Sequence, residues 1–360
     1  MPIEPFEGSA DIQRLIDQIR GKPVDRVPHL EALIEDQHIT KILGRFAGNS
    51  LAYGGDPAKG VEESTGRPMK GRDLLEFNQK IGQDLMMVEC FWTPFKKKTN
   101  DGKLISITDR SIKTKADWEK VIKPTATDIE DRMQYVREYK EAVKGTKMGV
   151  TLAGACFFQT LYEFTVGLTD FMTMIYDQRD LVEEMFDVSA EYFHDLYIQG
   201  LEAGIDVVFV ADDYAWKQGT FVRPKVFKEI WLPRMAKIIE PAVNRGIPVI
   251  FHSDGKIDAT IDWLLDIGVE AITPMDPYSI DYRDYKKRYG NRLCLFGNID
   301  VEFPLVHGTP DDVDKDVKAH SDVLKPGGRW VAGSSHSTGN MVPHENFCAM
   351  INAFHKYGKY

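Results

Sequence analysis

Val249-Ile250-Phe251-His252-Ser253-Asp254-Gly255-Lys256 reads as an apolar strand that delivers a histidine, and a carboxylate two residues later, onto a glycine turn. Side chains at i and i+2 of a strand point to the same side, so His252 and Asp254 can address one metal ion, proton or ligand. Helical periodicity flanks this strand. Residues 224–245 carry Phe227, Ile230, Trp231, Met235, Ile238 and Ile239 and stop at Gly246, while 257–267 follow the strand and stop at Gly268. A continuously apolar strand between helices is the unit of a parallel sheet covered on both faces.

Working outward, the same unit recurs. A helix over 279–289 closes at Gly290, one over 311–324 leads through Pro326-Gly327-Gly328, and a last helix over about 343–355 covers the barrel. Apolar, β-branched segments stand at 27–32, 85–90, 148–153, 207–212, 248–252, 271–275, 293–297 and 330–336. Eight such strands alternating with helices predict an α/β fold, a (β/α)8 TIM barrel. The chain is expected to form one domain over residues 1–360. Segments 44–72 and 96–112 read as insertions after the first two strands, the second a hairpin around Asn100-Asp101-Gly102.

Composition narrows the class. The 360 residues are 43% hydrophobic and 28% charged, ample for a large core. No apolar run reaches the roughly 18 residues that a membrane span needs, and Met1-Pro2-Ile3-Glu4-Pro5 lacks the features of a signal peptide. A cytoplasmic protein with no membrane partner is expected. A net charge of −10 argues against nucleic acid, whose phosphates need clustered Lys and Arg. Lys96-Lys97-Lys98 reads as a solvated turn. Cys90, Cys156, Cys294 and Cys348 are too dispersed for a thiolate metal motif, and each reads as a buried small side chain. A homodimer is left open.

In barrels of this kind chemistry sits at the carboxyl ends of the strands. Polar residues collect there: His29, Glu31, Glu89, Asp212, Asp213, His252, Asp254, Asp276, Asn298, Asp300, Ser335, His336 and Ser337. This inventory suits a borderline metal such as Zn2+, or proton transfer. Plainer roles compete: Asp212-Asp213 can cap a helix, His29 can be structural, and Asn298 can shape a turn. His307, His320, His344 and His355 read as solvated. Aromatics just beyond strand ends (Phe91, Trp92, Phe95, Phe157, Phe158, Tyr162, Tyr214, Trp216) are either packing or the walls of a pocket for an aromatic or macrocyclic ligand.

One family matches these residues in order. Gly219-Thr220-Phe221-Val222-Arg223-Pro224, then Phe251 to Ile257, Asp266-Ile267-Gly268-Val269, Pro274-Met275-Asp276-Pro277 and Phe296-Gly297-Asn298-Ile299-Asp300 resemble the uroporphyrinogen decarboxylase superfamily. So do the opening Gly21 to Pro28 and the closing Gly333-Ser334-Ser335-His336-Ser337. The resemblance implies the same barrel and two possible activities. Genuine decarboxylases hold substrate carboxylates with an amino-terminal Arg-Gln-Ala-Gly-Arg stretch, but here the matching region, Pro28 to Glu35, is acidic. Like charge there disfavours a carboxylate-rich substrate.

The other branch contains cobalamin-dependent methyltransferases. In its well-known members the resemblance implies zinc held by a His-x-Cys pair after strand five and a Cys after strand eight. Here His252 matches the histidine, Asp254 stands in place of the first cysteine, and Ser335 or His336 stands near the second. An oxygen- and nitrogen-rich site suits an ether oxygen better than a thiol. The expectation is the substrate-side methyltransferase of an O-demethylase system, passing the methyl group of a small aromatic methyl ether to cobalamin supplied by a partner corrinoid protein. His252, Asp254, Asp212 and His336 are the expected catalytic groups. His252, His336, Glu31 and Glu89 are the expected zinc ligands, and Phe91, Trp92, Phe158, Tyr214, Trp216 and Asn298 the substrate contacts. A metal-independent decarboxylase and a non-catalytic corrinoid or tetrapyrrole binder are the alternatives.

Overall fold

The computed structural model describes residues 2–31, 33–49, 69–91 and 93–360. The chain forms a (β/α)8 barrel. Val208–Ala211, Val249–His252, Ala271–Thr273, Cys294–Phe296 and Trp330–Val331 lie side by side in chain order, every pairing parallel. Leu85–Phe91 pairs in parallel with Gly149–Gly154. Single bridges join these groups: Ala155 pairs with Ala211, and His29 pairs with Ala332. The seam between the first two strand positions is held by a side chain. Gln83 Oε1 accepts the Glu31 N–H at 2.9 Å, and its Nε2 donates to the Leu85 carbonyl at 2.8 Å.

Burial explains the apolar strands. Val249 and Phe251 pack in the layer between sheet and helices, whereas Ile250 belongs to a separate cluster with Leu85, Val207, Phe209, Phe296 and Val331 that fills the barrel. Period-two alternation therefore turns His252 inward at the top of the barrel, on the side of Ile250. On the neighbouring strand Val207 and Phe209 face inward and Val208 and Val210 outward. That parity separates Asp212 from Asp213.

Several expected elements differ in detail. Of segment 27–32, the described residues 27–31 make one isolated bridge, His29 with Ala332, and no continuous strand, and residue 32 lies outside the described residues. The helix expected over 224–245 is two, Pro224–Ile230 and Leu232–Asn244, meeting at Trp231. Pro233 has no N–H to carry the ladder across that junction. The helix after the fifth strand spans Ile261–Asp266, shorter than 257–267, because Thr260 closes a turn onto the Ile257 carbonyl through both its N–H and its hydroxyl. Antiparallel Lys96–Lys98 and Leu104–Ser106 form the expected hairpin. Of segment 44–72, residues 50–68 lie outside the described residues.

The closing helices Pro310–Leu324 and His344–Gly358 pack on each other, burying His320 and partly covering His355, two histidines read as solvated from sequence. His320 stacks on Tyr282 with ring centroids 4.1 Å apart, and His355 Nε2 donates to the Ile81 carbonyl at 2.8 Å. At the opposite end of the barrel the buried Asp84 carboxylate receives Arg14 at 2.7 Å, Arg26 at 3.0 Å and the Asp11 N–H at 2.9 Å. Among the described residues no helix is long and apolar enough to cross a membrane.

Candidate active site

His252, Asp254 and Asp213 converge at the carboxyl end of the barrel. One ligand atom of each lies within 4.8 Å of the others. His252 Nε2 stands 3.8 Å from Asp213 Oδ1 and 3.9 Å from Asp254 Oδ1, separations longer than a hydrogen bond. The other oxygen of Asp254 faces His336 Nε2 at 3.5 Å. Asp254 thus sits between two imidazoles, the half-buried ring of His252 and the exposed ring of His336.

The loops that carry these groups hold one another. The Asp254 N–H donates to Asp213 Oδ1 at 2.8 Å, and the Tyr214 N–H donates to Ser253 Oγ at 3.3 Å. Gly255 has φ +81°, and a Cβ there would lie 2.6 Å from the Trp216 nitrogen. Only glycine lets the turn press against the Ala215–Thr220 hairpin, where the Lys256 N–H donates to the Trp216 carbonyl at 2.9 Å.

Asp213 is also gripped from the third strand's loop. Gln159 Nε2 donates to Asp213 Oδ2 at 3.1 Å and to Glu163 Oε2 at 2.9 Å. Glu163 lies in a π-helical segment, Thr160–Val166, a widened turn that recurs near functional sites. Burial, reinforced by the Asp254 charge, pushes the Asp213 carboxyl up to about 7. Burial likewise raises Glu163. A site that gathers carboxylates at this cost is suited to a cation or a shared proton.

The structure separates the other expected site residues. Asp212 Oδ1 accepts the Phe158 and Gln159 N–H groups at 3.1 and 2.8 Å, and Oδ2 accepts Trp231 Nε1 at 2.8 Å. Its carboxylate points into the helical layer, and its neighbour Asp213 faces the cluster. Glu31 is fully enclosed away from that cluster, accepting the Ser334 N–H at 2.9 Å, the Thr338 hydroxyl at 3.0 Å and the Ser334 hydroxyl. Burial raises it to about 7 despite those donors.

Phe158 and Tyr214 belong to a packed aromatic layer with Phe227, Phe186 and Trp231. Asn298 ties loops together, donating to the Met275 carbonyl at 2.5 Å and meeting His320 Nε2 at 3.1 Å. Trp216 is exposed on its hairpin. The side chains of Glu89 and Phe91, and the whole of Trp92, lie outside the described residues.

Two hollows meet near the cluster. One, a cavity of about 130 Å³, is walled by Leu33, Ile39, Met69, Phe77, Met87 and Phe209, with Glu31 and His252 among its polar groups. The other, of about 420 Å³, is more open and has Asp254, Asp276, Asp300, Glu302, Lys217 and His336 in its lining. His252 thus borders the apolar chamber, while Asp254 and His336 face the open cleft.

The implied zinc can be tested on this donor set. One imidazole and two carboxylates within reach of a single point match the nitrogen and oxygen ligands that zinc accepts. No described cysteine joins them, since Cys156, Cys294 and Cys348 are buried free thiols outside the group. The residues fit a zinc ion in an oxygen- and nitrogen-donor site.

The expectation names Asp212 as the catalytic member of the adjacent pair, whereas Asp213 is the one that reaches the cluster, and it gives no role to Gln159 or Glu163. Strand parity was the available signal for Asp213. Gln159 and Glu163 carried none, because they reach the site only through the fold.

Fold and site together define a (β/α)8 barrel with a histidine and carboxylate cluster at the carboxyl ends of its strands. Residues 96–357 match the family model described as uroporphyrinogen decarboxylase (URO-D), and the chain belongs to that family. Its curated relatives include methylcobamide:CoM methyltransferase MtaA of Methanosarcina barkeri, 29% identical over 55% of this chain and 56% of the relative. The chain therefore spans little more than half the length of that relative. A uroporphyrinogen decarboxylase of Methylobacillus flagellatus is 26% identical over 69% of this chain and 70% of its own. Among solved structures, a methyltransferase from Methanosarcina mazei superposes with a TM-score of 0.68, covering 97% of this chain and 99% of that one at 17% identity. That likeness shows the shared fold.

Proposed function

We propose that this barrel is a corrinoid-dependent methyltransferase that takes the methyl group of a methyl ether, an aromatic one, and passes it to cob(I)alamin on a separate corrinoid protein. The observation that carries the reading is the His252, Asp254 and Asp213 cluster, which among the described residues includes no thiolate and borders an apolar chamber. The likeness to a methylcobamide methyltransferase supports methyl transfer. The oxygen-rich donor set supports an oxygen leaving group over a thiol acceptor.

The apolar walls bind the ether and exclude water, which strengthens every charge interaction at the reacting oxygen. His252 Nε2 and the carboxylates of Asp213 and Asp254 would hold a zinc ion, which supplies Lewis-acid stabilisation of a departing alkoxide or phenoxide. Asp213 is kept in place by Gln159 and by the Asp254 N–H, so the cluster is organised before substrate arrives. His336, exposed on the outer oxygen of Asp254, is placed to return a proton to the product oxygen from the open cleft.

The test is metal analysis of the purified protein, followed by methyl transfer from a panel of phenyl methyl ethers to cob(I)alamin, read from the corrinoid spectrum. Turnover lost by more than about tenfold in His252→Ala is expected. Inactivity across the panel with metal and corrinoid protein supplied would sink the reading.

A further inference from the structure

The enclosed chamber has a second polar pole besides His252. Glu31 lines it together with Leu33, Ile34, Ile39, Met87 and Phe209, and is 3% exposed. Its carboxylate offers roughly four lone-pair directions. Three are taken, by the Ser334 N–H, the Ser334 hydroxyl and the Thr338 hydroxyl. These donors come from the loop after the eighth strand and hold the carboxyl rigidly. Among the described residues, one acceptor direction has no donor. No described residue lining the chamber is a lysine or arginine, so positive charge there belongs to the His252 end, where the proposed zinc would sit.

We propose that Glu31 is the specificity-determining residue of the chamber, selecting an aryl methyl ether that carries a neutral hydroxyl and rejecting its carboxylate counterpart. The proposal rests on the reading that the chamber takes the methyl donor. A hydroxyl donates into the free acceptor direction of Glu31, and the ring fills the apolar walls. A carboxylate brings a like charge to a few ångströms in a poorly solvated space, where the repulsion at about 4 Å is several times what it is in water. The ligand's hydroxyl sets which end of the ring lies away from His252, so the same contact fixes orientation as well as choice.

Binding to the protein alone, with no corrinoid protein or cobalamin, tests this by ligand-observed NMR or calorimetry at pH 8. The probes are the three methoxyphenol isomers against the three methoxybenzoates, with catechol against benzoate as a methyl-free pair. The best methoxyphenol is expected to bind at least about tenfold tighter than any methoxybenzoate, and catechol tighter than benzoate. In Glu31→Gln that preference is expected to shrink to about threefold or less.

Wild-type protein that binds a methoxybenzoate as tightly as the methoxyphenols, or that binds no methoxyphenol at millimolar concentration, overturns the proposal whether or not the variant folds. A folded Glu31→Gln that keeps the tenfold preference overturns it too. Discrimination without methyl transfer from any ether sinks the reading of the reaction and leaves this role for Glu31. Methyl transfer without discrimination does the reverse.

Discussion

Asp212 and Asp213 are adjacent, both buried around their carboxyl groups, and opposite in what they do. Asp212 spends its oxygens on two backbone N–H groups and an indole, while Asp213 offers an oxygen to the space in front of His252. Asp212→Asn puts an amide N–H against a donor and is expected to cost about 1–3 kcal/mol of stability, measured by urea unfolding, with metal content retained. Asp213→Asn is expected to leave the unfolding midpoint near that of the wild type and to lower zinc affinity by at least about tenfold, measured by chelator competition.

The pH dependence of stability follows from the same burial. Desolvation raises the Asp212 carboxyl from its ordinary value of 3.8 to about 7, so the folded state holds its proton more tightly than the unfolded state. The associated stability is complete below about pH 4 and is lost as pH rises through 7. Asp212→Asn should therefore lose less stability than the wild type between pH 5 and pH 8. An equal loss in both proteins would show that Asp212 does not carry a raised pKa.

At the scale of elements, the strand-to-helix turn after Val249–His252 decides whether the two residues that opened the reading meet a third. Gly255 sits in the left-handed region with the Ala215 and Trp216 backbone where its Cβ would be. Gly255→Ala is expected to destabilise the protein by about 1–3 kcal/mol and to move Asp254, so zinc affinity should fall along with the thermal midpoint. A variant with wild-type metal affinity and a lower midpoint would separate the turn's structural part from the site. Elements were also where legibility in sequence varied most. The Val249–His252 strand was readable because its apolar run is bounded by Pro248 and Gly255. The first strand position, read from the same kind of apolar segment over 27–32, is less regular than expected, because 27–31 makes a single bridge at His29 and depends on Gln83 for its second seam. The break at Trp231 was written in Pro233, yet the apolar periodicity ran through it and hid it.

Across the whole molecule, the two ends of the barrel divide stability from chemistry. The far end carries the Asp84, Arg14 and Arg26 cluster, which joins the amino-terminal helix Ile12–Ile19 to the start of the second strand. Asp84→Ala leaves Arg26 buried beside no carboxylate and is expected to cost about 3–5 kcal/mol by denaturant unfolding. Zinc affinity of the folded variant should be unchanged, because the cluster lies at the opposite end from His252. A coupled loss of both would show that the barrel transmits strain along its length.

By itself the sequence determined the barrel, the strand that carries His252 and Asp254, and the absence of a cysteine beside that histidine. Strand periodicity and residue chemistry are local properties, and they survive without knowledge of neighbours. Only the tertiary structure decided that Asp213 completes the cluster, that Asp212, Phe158 and Tyr214 are packing groups, and that Glu31 lines an apolar chamber rather than joining His252. Those outcomes depend on which loop lies against which. The strands are apolar on both faces, so their inward and outward sides cannot be told apart until the ring closes.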